Sequence, residues 1–407
     1  MVPAQNTACV QGWDGLVLPA VSYNTDLGFH YGVYGNAFYY GRDTLCTYPT
    51  YQHYINAELS RYTGGQTLAF LQYDSPQLIK GGQLTFIAKY QVDTRAPFYG
   101  FNGYAEPYLN ERTASDDWPD YYDYHRQLIF VQADLSRTIT NHLQWTAGIG
   151  FQHYAISDYG TTTSPTLLGQ YLVSGLIHAD ETKGGSHLDL RAGIIYDSRD
   201  NRFFTTQGFY ANTFLTQQSD LARNRYHNLR LNASMALFHH LGKADSAGHY
   251  RCILALQGCY QGFLSGQAAF YTQQNINTLF MRTTSSEGLG GIGTIRGLPY
   301  NRLLGNGYLW GNLEVRIRLF NFRFLKRDIQ VVVNPLLDAG AIVQPYRTDE
   351  YTTDINTKAR QAFLATGIGG KLVVNQNFIF GFEIAKALPL THEDYPLGIN
   401  LGLNYIF

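Results

Sequence analysis

No run of apolar residues in this chain approaches the 18 or so that a membrane-spanning helix requires, so insertion through helices is excluded. Charged residues make up only 15% of the 407, and the formal net charge is −1, which leaves no electrostatic footprint for nucleic acid. The first fifteen residues, MVPAQNTACVQGWDG, lack the charged start and apolar core of a signal peptide. That leaves a cytosolic protein or a mature chain with an added Met, and everything downstream favours the second. Metal spacing is also missing. Cys252 and Cys259 lie seven apart, which puts them on opposite faces of one strand. His153, His187, His239 and His240 form no H-x-x-x-H pattern. Asp116, Asp117 and Asp120, beside Trp118, fit a solvated loop better than a calcium site. No G-x-S-x-G, phosphate cradle or dinucleotide fingerprint appears at a strand–helix junction. The expectation is a protein that is not an enzyme and holds no cofactor or metal.

What the chain has in quantity is strand and turn formers: 32 Tyr, 24 Phe and 41 Gly against 3 Met. Sixteen alternating runs can be counted, from Leu16–Tyr23 and Gly28–Tyr40 to Phe378–Leu388 and Leu397–Phe407. In Leu143–Tyr154 the residues Leu143, Trp145, Ala147, Ile149 and Phe151 share one face. Gln144, Thr146, Gly148, Gly150 and Gln152 share the other, giving an apolar outside and a small, polar inside. The last run repeats this: Leu403, Tyr405 and Phe407 continue an apolar face that would aggregate unless paired and covered by lipid. Short turns such as Gly64-Gly65, Gly81-Gly82 and Asn375-Gln376-Asn377 alternate, with exceptions, with long loops. The pattern predicts an all-β, sixteen-stranded antiparallel transmembrane barrel over 16–407, preceded by a short segment, 1–15. Leu167–Ile177 has no period of two and reads as a short helix within a loop. Cys9 and Cys46 lie at either end of the first two strands, where a disulfide would fit an oxidising compartment.

One segment, about 267–306, breaks the alternation. A loop that long is uncommon in a compact domain unless functional or disordered, and at its centre is Ile295-Arg296-Gly297-Leu298. An inward-folded arginine needs carboxylates to receive its five donors. Glu314 alternates with Leu313 and Val315, and Asp338 with Leu337 and Ala339, so both point away from lipid. The alternative is a solvated Arg296, with the acids paired to Arg316 and Arg318.

Ile295-Arg296-Gly297-Leu298, Asn312-Leu313-Glu314, Leu337-Asp338-Ala339-Gly340 and the turn Asp197-Ser198-Arg199-Asp200-Asn201 with Gly208, together with the terminal Phe407, resemble the outer membrane protein 85 superfamily. These are the BamA-like, TamA-like and FhaC-like barrels, also called bacterial surface antigens. The resemblance implies that the loop folds into the lumen, that its arginine is held by acids on the following strands, and that the Asp197 turn is periplasmic. It departs at Leu298, where the family carries Phe or Tyr. It further implies the outer membrane of a Gram-negative bacterium and a part in outer-membrane protein assembly or insertion. Its partners would be the bilayer and lipopolysaccharide, and other outer-membrane or periplasmic proteins. A translocation pore for a secreted partner, with the loop as plug, and a structural subunit of a larger complex remain alternatives. About fifteen residues before the first strand are too few for one of the family's soluble POTRA domains. Pro19, inside the first strand, removes a ladder donor and weakens the pairing that closes the barrel.

Overall fold

A computed structural model describes residues 12–41, 51–103, 120–160, 166–201, 204–223, 225–245, 249–275, 288–324, 327–346, 362–374, 378–388, 395 and 397–403. The strands are β1 (Trp13–Asn24), β2 (Gly28–Tyr39), β3 (His53–Tyr62), β4 (Gln66–Ile79), β5 (Gly82–Pro97), β6 (Asp123–Thr138), β7 (Leu143–Asp158) and β8 (Gly185–Asp197). They continue as β9 (Gly208–Asp220), β10 (Asn228–Leu241), β11 (Cys252–Gly266), β12 (Gly307–Phe324), β13 (Arg327–Gln344), β14 (Phe363–Val374), β15 (Phe378–Leu388) and β16 (Gly398–Leu403). Each pairs antiparallel with its sequence neighbours, and β1 pairs with β16, closing a sixteen-stranded barrel. No helix among the described residues is long and apolar enough to cross a membrane.

Alternation dictates the two faces. On β7, Trp145, Ile149 and Phe151 stand exposed on the outside while Thr146 and Gln152 are buried inside. Several strands outrun the alternating runs that announce them, and three of these, β4, β5 and β12, do so across an irregularity. β4, expected over 67–73, continues past Pro76 to Ile79 through a register irregularity between Ser75 and Ile79. β5, expected to stop at Val92, crosses a bulge between Asp93 and Ala96 and reaches Pro97. A bulge shifts the period by one, so its polar residues look like loop in sequence. β12, expected over 308–320, runs to Phe324 past a shift between Arg318 and Phe320. The helix expected over 167–177 is α1 (Leu167–Val173), capped by the Thr166 hydroxyl accepting from the Gly169 N–H.

The turns at 80–81 and 325–326 lie at one end of the barrel, and the long connections 98–122 and 267–306 lie at the other, beside the short turns 25–27 and 63–65. Both ends are filled. At the long-loop end Phe98, Phe101, Tyr171 and Phe270 meet edge to face, within a buried cluster that includes Tyr121, Tyr122 and Leu176. At the short-turn end Phe204 folds in beside Ile253, Val332, Val373 and Ile379.

All twelve β1 residues pair with β2, but among the described residues only Tyr23 and Asn24 pair with β16, opposite Leu401 and Asn400. The Gly12 carbonyl accepts from the Tyr40 N–H and the Thr25 N–H donates to the Ile399 carbonyl, so even-numbered positions face β2 and odd-numbered ones face β16. Pro19 is odd-numbered, and its missing N–H therefore falls on the seam edge.

Candidate functional site

The loop between β11 and β12 enters the lumen as the four-residue helix α2 (Phe270–Gln273), and its second half, 288–306, is nearly all buried. Within that half the chain folds on itself. Leu289 and Leu303 exchange backbone hydrogen bonds, the Gly291 N–H donates to the Leu298 carbonyl, and the Thr294 hydroxyl accepts from the Gly290 N–H. Gly297 sits at φ 89°, a left-handed conformation that favours glycine. This small turn presents the Arg296 side chain to the wall formed by β12, β13, β14 and β15.

There Arg296 is fully buried, and every one of its side-chain nitrogens has a carboxylate. Its Nε and Nη2 grip Asp338 at 2.8 and 2.7 Å, and its backbone N–H adds a third bond to Asp338 at 2.9 Å. Nη1 reaches Glu314 at 2.7 Å and Glu383 at 3.2 Å. Two further cations complete the set: Arg316 donates to Glu314 at 3.0 Å and Lys371 to Glu383 at 2.7 Å. Asn312 bridges Asp338 and the Thr294 carbonyl, fastening the loop backbone to the same carboxylate. Three positive and three negative groups share one dry volume, so the cluster is neutral as a whole while each member depends on the others. The arrangement holds and orients; it presents no nucleophile beside a base.

The loop is also held on the facing wall. The Phe270 N–H donates to Glu181, which lies in the 3-10 turn Ala179–Lys183, at 2.7 Å. Arg230 of β10 donates to the Thr272 carbonyl at 3.0 Å, Arg223 to the Tyr271 hydroxyl at 2.7 Å, and Asn275 to Tyr154 of β7 at 2.7 Å. Burial pushes the Glu181 carboxyl above the usual carboxylate range, against the pull of the Phe270 and His178 amides. A segment tied to both walls spans the lumen as a crosspiece.

The structure thus brings Arg296, Glu314 and Asp338 together. Arg316 adds to Glu314 rather than replacing Arg296, whereas Arg318 pairs with Asp245 at the short-turn end. Ile295 and Leu298 are buried beside the arginine, and a Cβ on Gly340 would lie 2.6 Å from the Ile295 Cδ1, so the absent side chain leaves room for the loop. The Asp197 turn is separate. Arg199 forks onto Asp197 at 2.9 and 3.0 Å and lies over the Tyr210 ring. Asp200 accepts from the N–H groups of Asn201 and Thr206, and the Asn201 side chain accepts from Phe204, which seats that ring in the barrel mouth. Gly208, at φ 119°, passes so close to Ser198 that a Cβ would lie 2.5 Å from its carbonyl. The turn joins β8 to β9 at the end of the barrel opposite the β11–β12 loop that carries Arg296. Leu403 pairs with Phe380. Cys9, Cys46, Tyr405 and Phe407 lie outside the described residues, while Cys252 and Cys259 are free thiols.

Glu383 and Lys371 escaped the sequence reading. Both stand at inward parity, Glu383 between Phe382 and Ile384 and Lys371 between Gly370 and Leu372. The parity test applied to Glu314 and Asp338 finds them when carried two strands further.

A closed sixteen-stranded barrel whose lumen is crossed by a loop anchored through one buried arginine defines a class of outer-membrane-type barrel. The sequence model for the Omp85 superfamily domain matches residues 53–407, and the chain belongs to that superfamily. Among solved structures it is similar to BamA from Haemophilus ducreyi lacking POTRA domains 1–3, with a TM-score of 0.58 at 15% identity over 96% of this chain and 70% of that one. It is also similar to CdiB from Acinetobacter baumannii, with a TM-score of 0.53 at 12% identity over 97% of this chain and 66% of that one. At such identities the likeness is one of fold. No curated protein sequence matches the chain.

Proposed function

We propose that this barrel takes part in assembling or inserting other β-barrel chains in a Gram-negative outer membrane, using the β1–β16 seam as the template. The observation that carries the reading is the seam itself. Its β1 edge carries Pro19, which removes a backbone donor from the side of the strand that faces β16. A strand edge that lacks a ladder donor can exchange its partner for an incoming strand by β-augmentation, with backbone groups supplying affinity. A lumen closed by aromatic packing at one end and tied on both walls argues against passage of a client straight through the barrel.

The seam-lock experiment tests this. Tyr23 and Leu401 are directly opposed and both exposed on the outer face, so cysteines at the two positions can be joined without touching the lumen. In cells carrying Y23C/L401C as the sole copy, oxidation is expected to stop accumulation of newly made outer-membrane barrels, and reduction to restore it. Barrel assembly that proceeds unchanged through a fully oxidised seam would overturn the reading.

A further inference from the structure

The end of the β12–β13 hairpin stands clear of the barrel wall. Along β12 a buried inner face alternates with an outer one as far as Arg316; beyond the register shift at Arg318, Leu319 to Phe324 are exposed on both faces. The shift moves the parity by one, so Phe320, Phe322 and Phe324 take over the outer side. Their partners agree, since opposed residues of an antiparallel pair share a face. Phe320 opposes Val331 and Phe322 opposes Ile329, whereas the buried Gln330 and Val332 mark the inner side of β13. Length is the second observation. The outer face of β12 stays apolar from Leu309 to Phe324, fifteen residue steps, which at ~3.3 Å each and a tilt of about 40° rise roughly 38 Å. The apolar band around such a barrel is only about 25 Å tall. On β8 the outer apolar run, Leu188 to Tyr196, covers eight steps and rises about 20 Å, within that band. The apolar face of β12 therefore outruns the band, and the exposed inner side of 319–324 places the excess at this end.

Charge is the third. The sequence of 319–328, LFNFRFLKRD, holds three basic residues against one acid. That acid, Asp328, lies 3.3 Å from His249, and Asp245 of the adjoining β10–β11 turn is bound by Arg318. Arg323 is exposed on the side of the hairpin opposite the phenylalanines, and in the β10–β11 turn Lys243 and Arg251 are exposed as well. An apolar face backed by bases is the composition of a segment that lies in a membrane interface, its bases drawn to anionic lipid. We propose that residues 319–328 are an interfacial anchor seated on the phospholipid leaflet at the short-turn end. Phe320, Phe322 and Phe324 enter the acyl region below the headgroups, and Arg323 with its basic neighbours holds anionic headgroups of the phosphatidylglycerol type. The tight turns 80–81 and 325–326 lie at this end, as short turns do at the periplasmic end of outer-membrane barrels, so the leaflet is the phospholipid one and not lipopolysaccharide.

The photoreactive residue benzoylphenylalanine, placed at position 322 or, in a second variant, at 324, captures on irradiation whatever covers the hairpin. The full chain is folded into nanodiscs of phosphatidylcholine with a minority of phosphatidylglycerol, heat-modifiable gel mobility selects the folded variants, and mass spectrometry identifies the adducts. The adducts are expected to be phospholipid, with phosphatidylglycerol captured at least about three-fold above its mole fraction. Arg323→Glu is expected to bring that ratio down towards the mole fraction while phospholipid adducts persist. Benzoylphenylalanine at Lys183, exposed in the 3-10 turn at the other end, should capture no phospholipid. The same irradiation in native outer membranes decides between occupants: phospholipid adducts support the anchor, and a dominant protein adduct overturns it. Absence of lipid adducts at both 322 and 324 in folded barrels overturns it too. Phosphatidylglycerol captured only at its mole fraction, or enrichment undiminished in Arg323→Glu, overturns the headgroup assignment.

Discussion

Arg296→Ala is expected to destabilise the barrel by about 3–5 kcal/mol, the usual cost of removing one partner from a buried ionic group. The reason is arithmetic of charge in a dry place. Three carboxylates then face two cations, Arg316 and Lys371, and Asp338 loses its only described cationic partner. The measurement is thermal unfolding in detergent, followed by loss of heat-modifiable mobility and of β-sheet circular dichroism. The companion variant is Arg296→Ala with Glu383→Gln, which returns the cluster to two positive and two negative groups. It should recover about 1–2 kcal/mol of the loss, because residues in one buried network couple rather than add. Arg296→Lys should fall between, keeping the charge but losing the fork that binds both oxygens of Asp338. An Arg296→Ala protein that unfolds at the wild-type temperature would mean that the cluster stabilises nothing, and that the loop is seated by its apolar contacts alone.

Both the barrel and part of its lumen can be read from the chain because a period of two is a strong signal over ten residues or more. Glu314 and Asp338 interrupt that period on the inward face, and an acid there has no partner in lipid, so the polarity points into the lumen. Asp93 and Arg126 show where the signal fails. They form a buried pair at 2.7 Å across β5 and β6, but Asp93 opens a polar, bulged stretch that reads as loop. The α2 anchor is beyond sequence for another reason. Glu181, Arg223 and Tyr271 come from three separate connections, and nothing in the order of residues brings those connections together. Close approach of backbones is hidden as well. Gly398 looks like any small inward residue of a barrel strand, and only the fold shows that its missing side chain admits the loop.

Gly297→Val should injure the barrel as much as loss of the neighbouring arginine, although it removes no charge. The expected destabilisation is about 2–5 kcal/mol. About 1–2 kcal/mol of this comes from holding a side-chain-bearing residue at the left-handed φ of 89°, and about 1–3 kcal/mol from overpacking. The overpacking is severe because the obstacles are backbone. A Cβ at 297 would lie 2.9 Å from the Ala385 and Lys386 carbonyl carbons and from the Ala387 nitrogen, all in β15, which cannot rotate aside as a side chain would. The loop would have to lift from the wall, and Arg296, one residue away, would lift with it. Gly297→Ala has the same Cβ and the same strain and should reproduce most of the loss, so the effect belongs to the close approach rather than to side-chain bulk. Limited proteolysis gives the second readout: cleavage after Arg296 and Arg302, both buried in the folded protein, should appear in Gly297→Val under conditions where the wild type resists. A Gly297→Ala barrel with wild-type unfolding temperature and an uncut loop would show that the segment has a second way to sit in the lumen, with its arginine still bound.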